Sequence, residues 1–502
     1  GPKNLPQCRL PLTILRSSDQ RPATGGTSMS SHHLMIIGDE RVDADTRIEV
    51  RSPYDCRLLG TVAEATTDHL DRAVDTAKTT LAAGVIPTHE RAAILDRLAA
   101  SLTDHHEELA QTISTEAAKP ITIARGEAAR AVDTVRFAAA VARTMTGELI
   151  TMDASSAGVG KTGWVKRVPI GVVGAITPFN FPLNLVCHKI APAIAAGCPV
   201  VLKPADKTPL SAIRLGELLL DECGLPPGWL NVVPCYGPTA AHLAEHPDVA
   251  MITFTGSSAV GWQIRANAPR KRVSLELGNN SPVIIEPDVD VASTAARIKG
   301  AAFGFTGQVC ISTQRIYVHE DIADEFTEAL VAETGSLVVG DPADPATEVS
   351  ALINGDSTHR VTSWIDEAVE AGAVVECGGK VSDDGVVAPT VLTGVTPDMK
   401  VSCAEVFGPV VGVATYTDFE DALASANDTI YGLHAAVFTS DIAKALRATE
   451  VLDFAGVLVN EVPTWRADQM PYGGIHESGN TREGPVYAVH EMTEERLIII
   501  QA

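Results

Sequence analysis

Residues 171–203 read GVVGAITPFNFPLNLVCHKIAPAIAAGCPVVLK. A short apolar run at 171–176 is followed by a helical pattern at 183–196 and by a second apolar run at 200–202. Apolar runs that alternate with helices are typical of parallel strands, because crossover helices bury both faces of such a sheet. This stretch therefore predicts an α/β fold.

The same alternation extends along most of the chain. Helical patterns at 209–223 and 238–246 alternate with strand-like runs at 230–233 and 250–254. A second series follows Glu276. It has strand-like runs at 283–285, 315–318, 410–416 and 435–438 and helical patterns at 290–304, 321–334, 357–371 and 418–427. We therefore expect two doubly wound domains that meet near residues 271–280.

The region before residue 150 is predicted to be mainly helical. Apolar residues at positions 70, 73, 74, 77 and 81 follow helical spacing, which predicts one amphipathic helix over 67–81. Two longer helical stretches follow at 89–118 and 122–145. Pro120 separates them, because proline cannot continue the hydrogen-bond ladder of a helix.

The composition bounds the class of protein. A chain of 502 residues is expected to form roughly two or three domains. Its 45% hydrophobic and 20% charged residues are typical of a soluble globular protein. A net charge of −24 disfavours nucleic acid and anionic membranes as partners. The longest apolar stretch, at 190–202, is too short to span a bilayer.

Nine cysteines are spread along the chain without a Cys-x-x-Cys pair. An odd, scattered set favours a reducing cytoplasm over a disulfide framework or a zinc site, so no metal is expected. Residues 1–28 lack the apolar core of a signal peptide. We expect a disordered leader there, with Gly1-Pro2 as a protease scar and a native start near Met29.

Three short motifs carry the chemistry. Cys310 stands in Gly-Gln-Val-Cys-Ile-Ser, 34 positions after Glu276 in Leu-Glu-Leu-Gly and 130 after Asn180 in Pro-Phe-Asn-Phe-Pro. Alone, each has a plain interpretation as a core cysteine, an edge glutamate or a turn asparagine. The glycine-rich loop before Cys310 can aim a backbone amide at a carbonyl oxygen, and flanking leucines predict a buried Glu276 with a raised pKa. In this order and at these separations, the motifs resemble the aldehyde dehydrogenase superfamily.

The resemblance implies a covalent mechanism. The Cys310 thiolate would attack an aldehyde carbonyl, and the Asn180 side chain with the Cys310 N–H would hold the oxyanion. Glu276 would activate the water that cleaves the resulting thioester. Such a thiolate needs a lowered pKa, which amide dipoles and a cationic nicotinamide ring can supply. Asn279 departs from the family pattern, because relatives usually have a second glycine there.

A glycine turn predicts the dinucleotide site. Gly256, Ser257 and Gly261 lie between a strand-like run and a helical pattern, where a pyrophosphate can sit on the helix N-terminus. This turn is not the Gly-x-Gly-x-x-Gly fingerprint. By resemblance, Lys203 and the acidic residue three positions later would bind the adenosine ribose.

That acidic residue decides the expected cofactor. Asp206 would repel a 2′-phosphate, so NAD is favoured, while the adjacent Lys207 leaves NADP open. The resemblance adds further cofactor-binding residues, which are Thr177, Phe179, Gly278, Glu405 and Phe407.

The resemblance covers about residues 35–502 and implies two domains with a small β arm for oligomerisation. Residues 29–150 and 170–275 would form the dinucleotide-binding domain, 276–470 the catalytic domain, and 151–169 with 487–502 the arm. The run Leu-Ile-Ile-Ile at 497–500 would be an aggregation-prone edge if left uncovered. A homodimer or homotetramer is therefore expected.

The substrate is predicted from two arginines and one aromatic residue. Arg466 precedes the Tyr-Gly-Gly at 472–474, and Arg130 lies on a helix that borders the substrate tunnel in this fold. The string resembles members that act on lactaldehyde, succinate semialdehyde or phosphonate aldehydes, and arginine suits a carboxylate or phosphonate. Phosphonoacetaldehyde dehydrogenases commonly have arginine and histidine where this chain has Val309 and Phe181, so it departs from that narrower group. Phe181 is still expected beside the substrate.

Other functions remain open at this point. In a coenzyme-A-acylating enzyme a thiol replaces water, but that branch usually lacks the glutamate found here as Glu276. Oxidation of a neutral aliphatic aldehyde would leave Arg130 and Arg466 in structural salt bridges. A catalytically silent protein of the same fold, or an acidic scaffold, would not require the five residues Cys310, Asn180, Glu276, Lys203 and Glu405 together.

Overall fold

A computed structural model describes residues 31–501. The leader predicted at 1–28 and the start near Met29 lie outside these residues. In chain order the strands are β1 (Ser31–His33), β2 (Met35–Ile37), β3 (Glu40–Val42), β4 (Arg47–Arg51), β5 (Leu58–Ala63), β6 (Glu148–Ile150), β7 (Lys161–Pro169), β8 (Val172–Ile176), β9 (Val200–Lys203), β10 (Leu230–Val232), β11 (Val249–Thr255), β12 (Arg272–Glu276), β13 (Pro282–Ile285), β14 (Arg315–His319), β15 (Val374–Cys377), β16 (Thr390–Thr393), β17 (Val410–Tyr416), β18 (His434–Phe438), β19 (Gly456–Val459) and β20 (Thr493–Gln501).

The α-helices are α1 (Thr67–Ala83), α2 (Thr88–Asp104), α3 (His106–Ala117), α4 (Ile121–Thr144), α5 (Asn184–Ala196), α6 (Leu210–Glu217), α7 (Gly237–Glu245), α8 (Ser258–Asn267), α9 (Val291–Phe303), α10 (Ala323–Gly335), α11 (Gly355–Glu370), α12 (Lys400–Cys403), α13 (Phe419–Asn427), α14 (Ile442–Val451) and α15 (Pro485–Glu491). Within residues 31–501, every helix is too short or too polar to cross a membrane.

The first large sheet has the strand order β12-β11-β8-β9-β10-β2-β3. Strands β8 to β12 run parallel, and β2 joins β10 in the antiparallel direction. Successive side chains of β8 point to opposite faces of the sheet and belong to different hydrophobic cores. Val173 packs with helices α2, α4 and α5, whereas Val172 packs with α1 and α7. Helices therefore cover both faces, as the predicted doubly wound domain requires.

A second large sheet has the order β15-β16-β17-β14-β13-β18-β19 and is parallel except at β15. Its strand β13 alternates in the same way, since Val283 and Ile285 face one core and Ile284 faces another. Between β12 of the first sheet and β13 of the second the chain has only the loop 277–281, which overlaps the junction predicted near 271–280. The α/β fold with two doubly wound sheets is confirmed.

The third sheet is antiparallel, with the order β20-β7-β6. Strand β20 pairs along its whole length with β7. The arm predicted at 151–169 and 487–502 has different boundaries in the structure. Strand β6, at 148–150, belongs to the arm sheet, and helix α15 packs on α4 and α5 of the first domain. Because α15 is held by that core, the arm strand begins only at Thr493.

Most predicted helices and strands lie within a few residues of the observed bounds, with two differences. The helix predicted at 89–118 is divided at His105 into α2 and α3. The helix predicted at 209–223 ends its α-helical part at Glu217 and continues as a π-helical turn. Strands β1 to β6, β15, β16 and β19 and helices α12, α14 and α15 were not predicted from the sequence.

Candidate active site

A cavity of about 830 Å³ opens at the carboxyl ends of β8, β9, β11 and β12. Ligands of open parallel sheets bind at this edge, because the loops there can carry varied side chains. Residues of the second domain close the other side. The predicted residues that line this cavity are Thr177, Phe179, Asn180, Lys203, Asp206, Gly256, Ser257, Glu276, Gly278, Cys310, Glu405 and Phe407. The other four, Gly261, Arg130, Phe181 and Arg466, lie outside its wall.

The Cys310 thiol lies 2.7 Å from the Tyr472 hydroxyl. Cys310 is half-buried, and burial raises the pKa of its thiol to about 12, although Tyr472 and the positive charge of Arg466 act in the opposite direction. In the protein without a bound cofactor, desolvation therefore outweighs the groups that favour the thiolate. Thiolate formation needs a further positive charge in the cavity.

The loop before Cys310 has an uncommon backbone. Phe305 and Thr306 adopt left-handed φ values of 48° and 57°, followed by Gly307 at 70°. Such a conformation costs about 1–3 kcal/mol for a residue other than glycine and persists only where its surroundings impose it. Thr306 Oγ1 donates to the Ser350 carbonyl (2.9 Å) and accepts from the Ser350 N–H (3.1 Å). At Gly307 a Cβ would lie 2.2 Å from the Gly408 carbonyl oxygen, so this position requires glycine.

The Asn180 amide lies against the same loop. Its Nδ2 donates to the Gln308 carbonyl at 3.0 Å, and its Oδ1 is buried without a partner in residues 31–501. An amide nitrogen carries two hydrogens. The bond to Gln308 uses one of them, so the second can be donated to an oxygen near Cys310.

Glu276 ends strand β12 and is almost completely buried. Within the described chain neither carboxyl oxygen has a hydrogen-bond partner. A Cβ at Gly473 would lie 2.6 Å from Glu276 Oε1, so glycine is needed beside the carboxyl. Burial, and then the negative charge of Glu483, raise the pKa of Glu276 well above its ordinary value. A carboxylate in this environment is a strong proton acceptor once ionised.

A buried group of charges surrounds Glu483. Its carboxylate accepts from Lys189 Nζ at 3.3 Å and from Arg466 Nη2 at 3.2 Å. Against the effect of burial, Lys189, His188 and Arg466 lower the pKa of Glu483 to about 2. The Arg466 guanidinium also lies 3.8 Å from the centroid of the Tyr472 ring. These contacts were not predicted from the sequence, although Lys189, a lysine inside the apolar pattern of α5, was an available signal.

Arg130 and Phe181 have other partners. Arg130 forms two hydrogen bonds to the Asp468 carboxylate, at 2.7 and 3.1 Å, and its side chain is 33% exposed. Phe181 lies under the ammonium of Lys119, which is 3.8 Å from the ring centroid. Arg466, in contrast, contacts Tyr472, whose hydroxyl meets the Cys310 thiol.

The cofactor half of the cavity has open backbone donors. Helix α8 begins after Ser257 without a side-chain cap, so its first N–H groups are available to an anion. Nearby, Lys203 Nζ lies 4.0 Å from Asp206 Oδ1, and Lys207 Nζ lies 3.8 Å from Asp206 Oδ2. Gly261 instead packs on Leu277, where a Cβ would lie 2.4 Å from a methyl carbon. The lack of a side chain at Gly261 therefore lets helix α8 pack closely against Leu277.

Glu405 and Phe407 close this half from the second domain. Glu405 accepts from the Asn279 N–H at 3.1 Å, and burial raises the pKa of its carboxyl to about 7. A Cβ at Gly278 would lie 2.3 Å from Glu405 Oε2, which accounts for the glycine. Asn279 does not adopt positive φ, so its replacement of the usual second glycine introduces no backbone strain. The Phe179 and Phe407 rings meet edge to face, with centroids 5.8 Å apart.

Comparison with known proteins agrees with this geometry. The model of the aldehyde dehydrogenase family matches residues 41–498. The chain belongs to the aldehyde dehydrogenase family. It is 42% identical over 478 residues to a 3-sulfolactaldehyde dehydrogenase from Priestia aryabhattai, across 95% of this chain and 99% of that protein. It is 37% identical to a lactaldehyde dehydrogenase from Methanococcus aeolicus, across 93% and 99% of the two chains.

Solved aldehyde dehydrogenases share the whole fold. Aldehyde dehydrogenase 21 from Physcomitrella patens, in complex with its reaction product succinate, matches with a TM-score of 0.91 and 38% identity, across 94% of this chain and 98% of that one. Other solved members are complexes with NAD+ and with NADP. The family and the enzyme class predicted from the motifs are thus confirmed. The chain is an oxidoreductase that acts on aldehydes.

Proposed function

We propose that this aldehyde dehydrogenase oxidises a small anionic aldehyde to the carboxylic acid with NAD+, through a thiohemiacetal and a thioester on Cys310. One observation carries the proposal. A thiol, an amide donor and a buried unpaired carboxyl, on Cys310, Asn180 and Glu276, line the same cavity as the uncapped N-terminus of helix α8. Acyl chemistry and dinucleotide binding therefore meet in one place.

The dinucleotide fits the residues that are present. The open amides at Ser257 suit the pyrophosphate, and Lys203 with Glu405 would hold the two riboses. When bound, NAD+ supplies the hydride acceptor and a positive charge that opposes the raised pKa of Cys310. Asp206 favours NAD+ over NADP+, because a 2′-phosphate beside its carboxylate would be repelled.

Each residue then has one task in the reaction. The Cys310 sulfur adds to the carbonyl carbon, and the oxyanion accepts from Asn180 Nδ2 and from the Cys310 N–H. Loss of hydride from that carbon leaves a thioester on the sulfur. Glu276 takes a proton from water as the water attacks the thioester, which releases the acid and the Cys310 thiolate. Because Glu276 can activate water as a base, we propose water and not coenzyme A as the acceptor of the acyl group.

The substrate class rests on Arg466. Its Nη2 is bonded to Glu483, but its buried Nε has no partner among the residues that the structure describes. A carboxylate or sulfonate placed beside Tyr472 would supply that partner through a charge-assisted bond. Arg130 is already held by two hydrogen bonds to the Asp468 carboxylate. The similar 3-sulfolactaldehyde dehydrogenase and the aldehyde dehydrogenase 21 complex with succinate support an anionic substrate. The similar lactaldehyde dehydrogenase supports a neutral aldehyde as the alternative.

Replacing the nucleophile tests the reaction. Cys310→Ala is expected to abolish NADH formation, because only the covalent step is removed. The rise in melting temperature on adding NAD+ should persist, because the cofactor groove is unchanged. Cys377→Ala, which alters a half-buried thiol outside the cavity, is the matched control and should retain full activity. Turnover above a few per cent in Cys310→Ala would overturn the proposal.

We also infer a homo-oligomer in the cytoplasm. The exposed Leu497, Ile499 and Ile500 on edge strand β20 support association by strand addition. The free thiols of Cys187 and Cys198 support a reducing compartment.

A further inference from the structure

Lys119 is a completely buried lysine that takes no part in the reaction proposed above. It lies between α3 and α4, and its ammonium donates to the Glu127 carboxylate and to the Asn180 carbonyl, the latter at 2.5 Å. Glu127 is completely buried as well. A buried ion pair is often no more stabilising than an apolar pair of the same volume. Stability alone therefore does not explain why both charges are present.

The pair holds both ends of one short segment. Lys119 binds the carbonyl of Asn180, while Glu127 Oε1 accepts from the N–H groups of Leu183 and Asn184 at 3.0 and 3.1 Å. These amides open helix α5, and the bonds satisfy donors that the helix leaves free. The segment 180–184 is thus held at both ends, by Lys119 from the turn between α3 and α4 and by Glu127 from α4.

The same ammonium contacts the nucleophile loop. Lys119 Nζ lies 4.4 Å from the centroid of the Phe305 ring and 3.8 Å from that of Phe181, within the range of a cation–π interaction. Phe305 begins the left-handed turn that leads to Gln308, whose carbonyl accepts from the Asn180 side chain. One buried charge therefore contacts both loops whose relative position sets the oxyanion site.

We propose that Lys119 and Glu127 are positioning residues that fix the Asn180 amide relative to the Cys310 sulfur. The inference rests on the proposed function and adds two residues outside the reacting atoms. Small displacements of a donor from a developing oxyanion reduce turnover strongly, whereas the binding of substrate and cofactor depends on other contacts. Loss of the pair should therefore lower kcat and leave KM nearly unchanged.

The double variant Lys119→Met/Glu127→Gln tests this. It keeps the volume of both side chains, removes both charges together, and leaves an acceptor for the amides of Leu183 and Asn184. We expect kcat to fall roughly tenfold to a hundredfold. KM and the NAD+-induced rise in melting temperature should stay as in the wild type. The matched control is Lys444→Met/Glu286→Gln, which neutralises another pair with a buried glutamate away from the cavity and should leave kcat unchanged.

A cycle with Asn180→Ala separates positioning from a general structural effect. If Lys119 and Glu127 act through Asn180, the double variant should lower kcat by less than about twofold in the Asn180→Ala background. The same loss in both backgrounds, or an unchanged kcat in the wild-type background, would overturn the inference. Full activity of Asn180→Ala alone would instead contradict the oxyanion role, and with it both proposals.

Glu127→Gln alone provides a second variant if the double variant does not fold. It retains the Lys119 amine and its bond to Asn180 but removes the charge that holds the amine in place. A smaller fall in kcat is expected, and it should again disappear in the Asn180→Ala background. An equal fall in both backgrounds would show that the pair does not act through the amide.

Discussion

The Glu276 carboxyl is buried with both oxygens unpaired, which suits a group that must exchange a proton with water. Glu276→Gln should still permit hydride transfer but slow thioester hydrolysis. A burst of NADH followed by a slow steady state is therefore expected in stopped-flow absorbance. Loss of the burst together with the steady state would place Glu276 earlier, in activation of the thiol.

The same residue sets a pH dependence. Because the pKa of Glu276 is raised, the acid form persists above the ordinary carboxyl range and only the carboxylate can accept a proton. Steady-state hydrolysis in the wild type should therefore rise with pH through the raised pKa. This rise should be absent from the slow phase of Glu276→Gln, which keeps the shape of the side chain without its titration.

Arg466 is the residue on which substrate choice depends. A charge-assisted contact in a buried site contributes roughly 1.5–3 kcal/mol, so Arg466→Ala should lower kcat/KM about tenfold to a hundredfold on carboxylated or sulfonated aldehydes. Neutral aldehydes of similar length should be little affected. The substitution also leaves Glu483 with one partner fewer. Arg130→Ala, which likewise removes an arginine from a buried carboxylate, Asp468, is therefore the comparison variant. Equal losses on both substrate classes would leave Arg466 a structural residue.

At the scale of elements, the loop after β9 sets the choice of dinucleotide. Asp206 lies between Lys203 and Lys207, and its carboxylate is part-exposed towards the cavity. The wild type should have a higher kcat/KM with NAD+ than with NADP+. Asp206→Ala should raise kcat/KM for NADP+, because Lys207 then faces the 2′-phosphate without a competing carboxylate. A wild-type preference for NADP+ would mean that Lys207 already binds that phosphate.

The elements themselves were predictable where local patterns decide them. Strands β8, β9 and β11 follow from short apolar runs, and the break between α3 and α4 follows from Pro120. Burial of Glu276 follows from the leucines on either side. These features depend on neighbours in sequence, so a pattern read along the chain is sufficient.

Features set by distant contacts could not be predicted. Phe305 and Thr306 are not residue types that favour left-handed φ, and Ser350 holds them there from another loop. The contact of Cys310 with Tyr472 joins positions 162 residues apart. No proline or glycine marks the division of the 89–118 stretch at His105. In each case tertiary packing overrides the local preference.

At the scale of the whole molecule, edge strand β20 is the surface expected to join subunits. Ile499 is 48% exposed beside Leu497 and Ile500. Ile499→Glu should shift the protein towards monomer in light scattering coupled to size-exclusion chromatography, because a charge on an exposed edge opposes strand addition. Ile442→Glu, which alters an exposed isoleucine on α14, is the matched control and should leave the mass unchanged. If Ile499→Glu has the same oligomer mass as the wild type, edge strand β20 is not the contact between subunits.

The pairing of β7 with β20 has a consequence for synthesis on the ribosome. Arg167 on β7 and its partner Glu495 on β20 are 328 positions apart. At about 5–20 residues per second, β7 leaves the ribosome roughly 15–65 s before β20 exists. During that time one edge of β7 has no strand to pair with, and the remaining strands of both large sheets, β8 to β19, are made before β20. The sheet of β20, β7 and β6, which we propose joins subunits, is therefore the last of the sheets to be completed. Subunits can associate through it only after both domains have been translated.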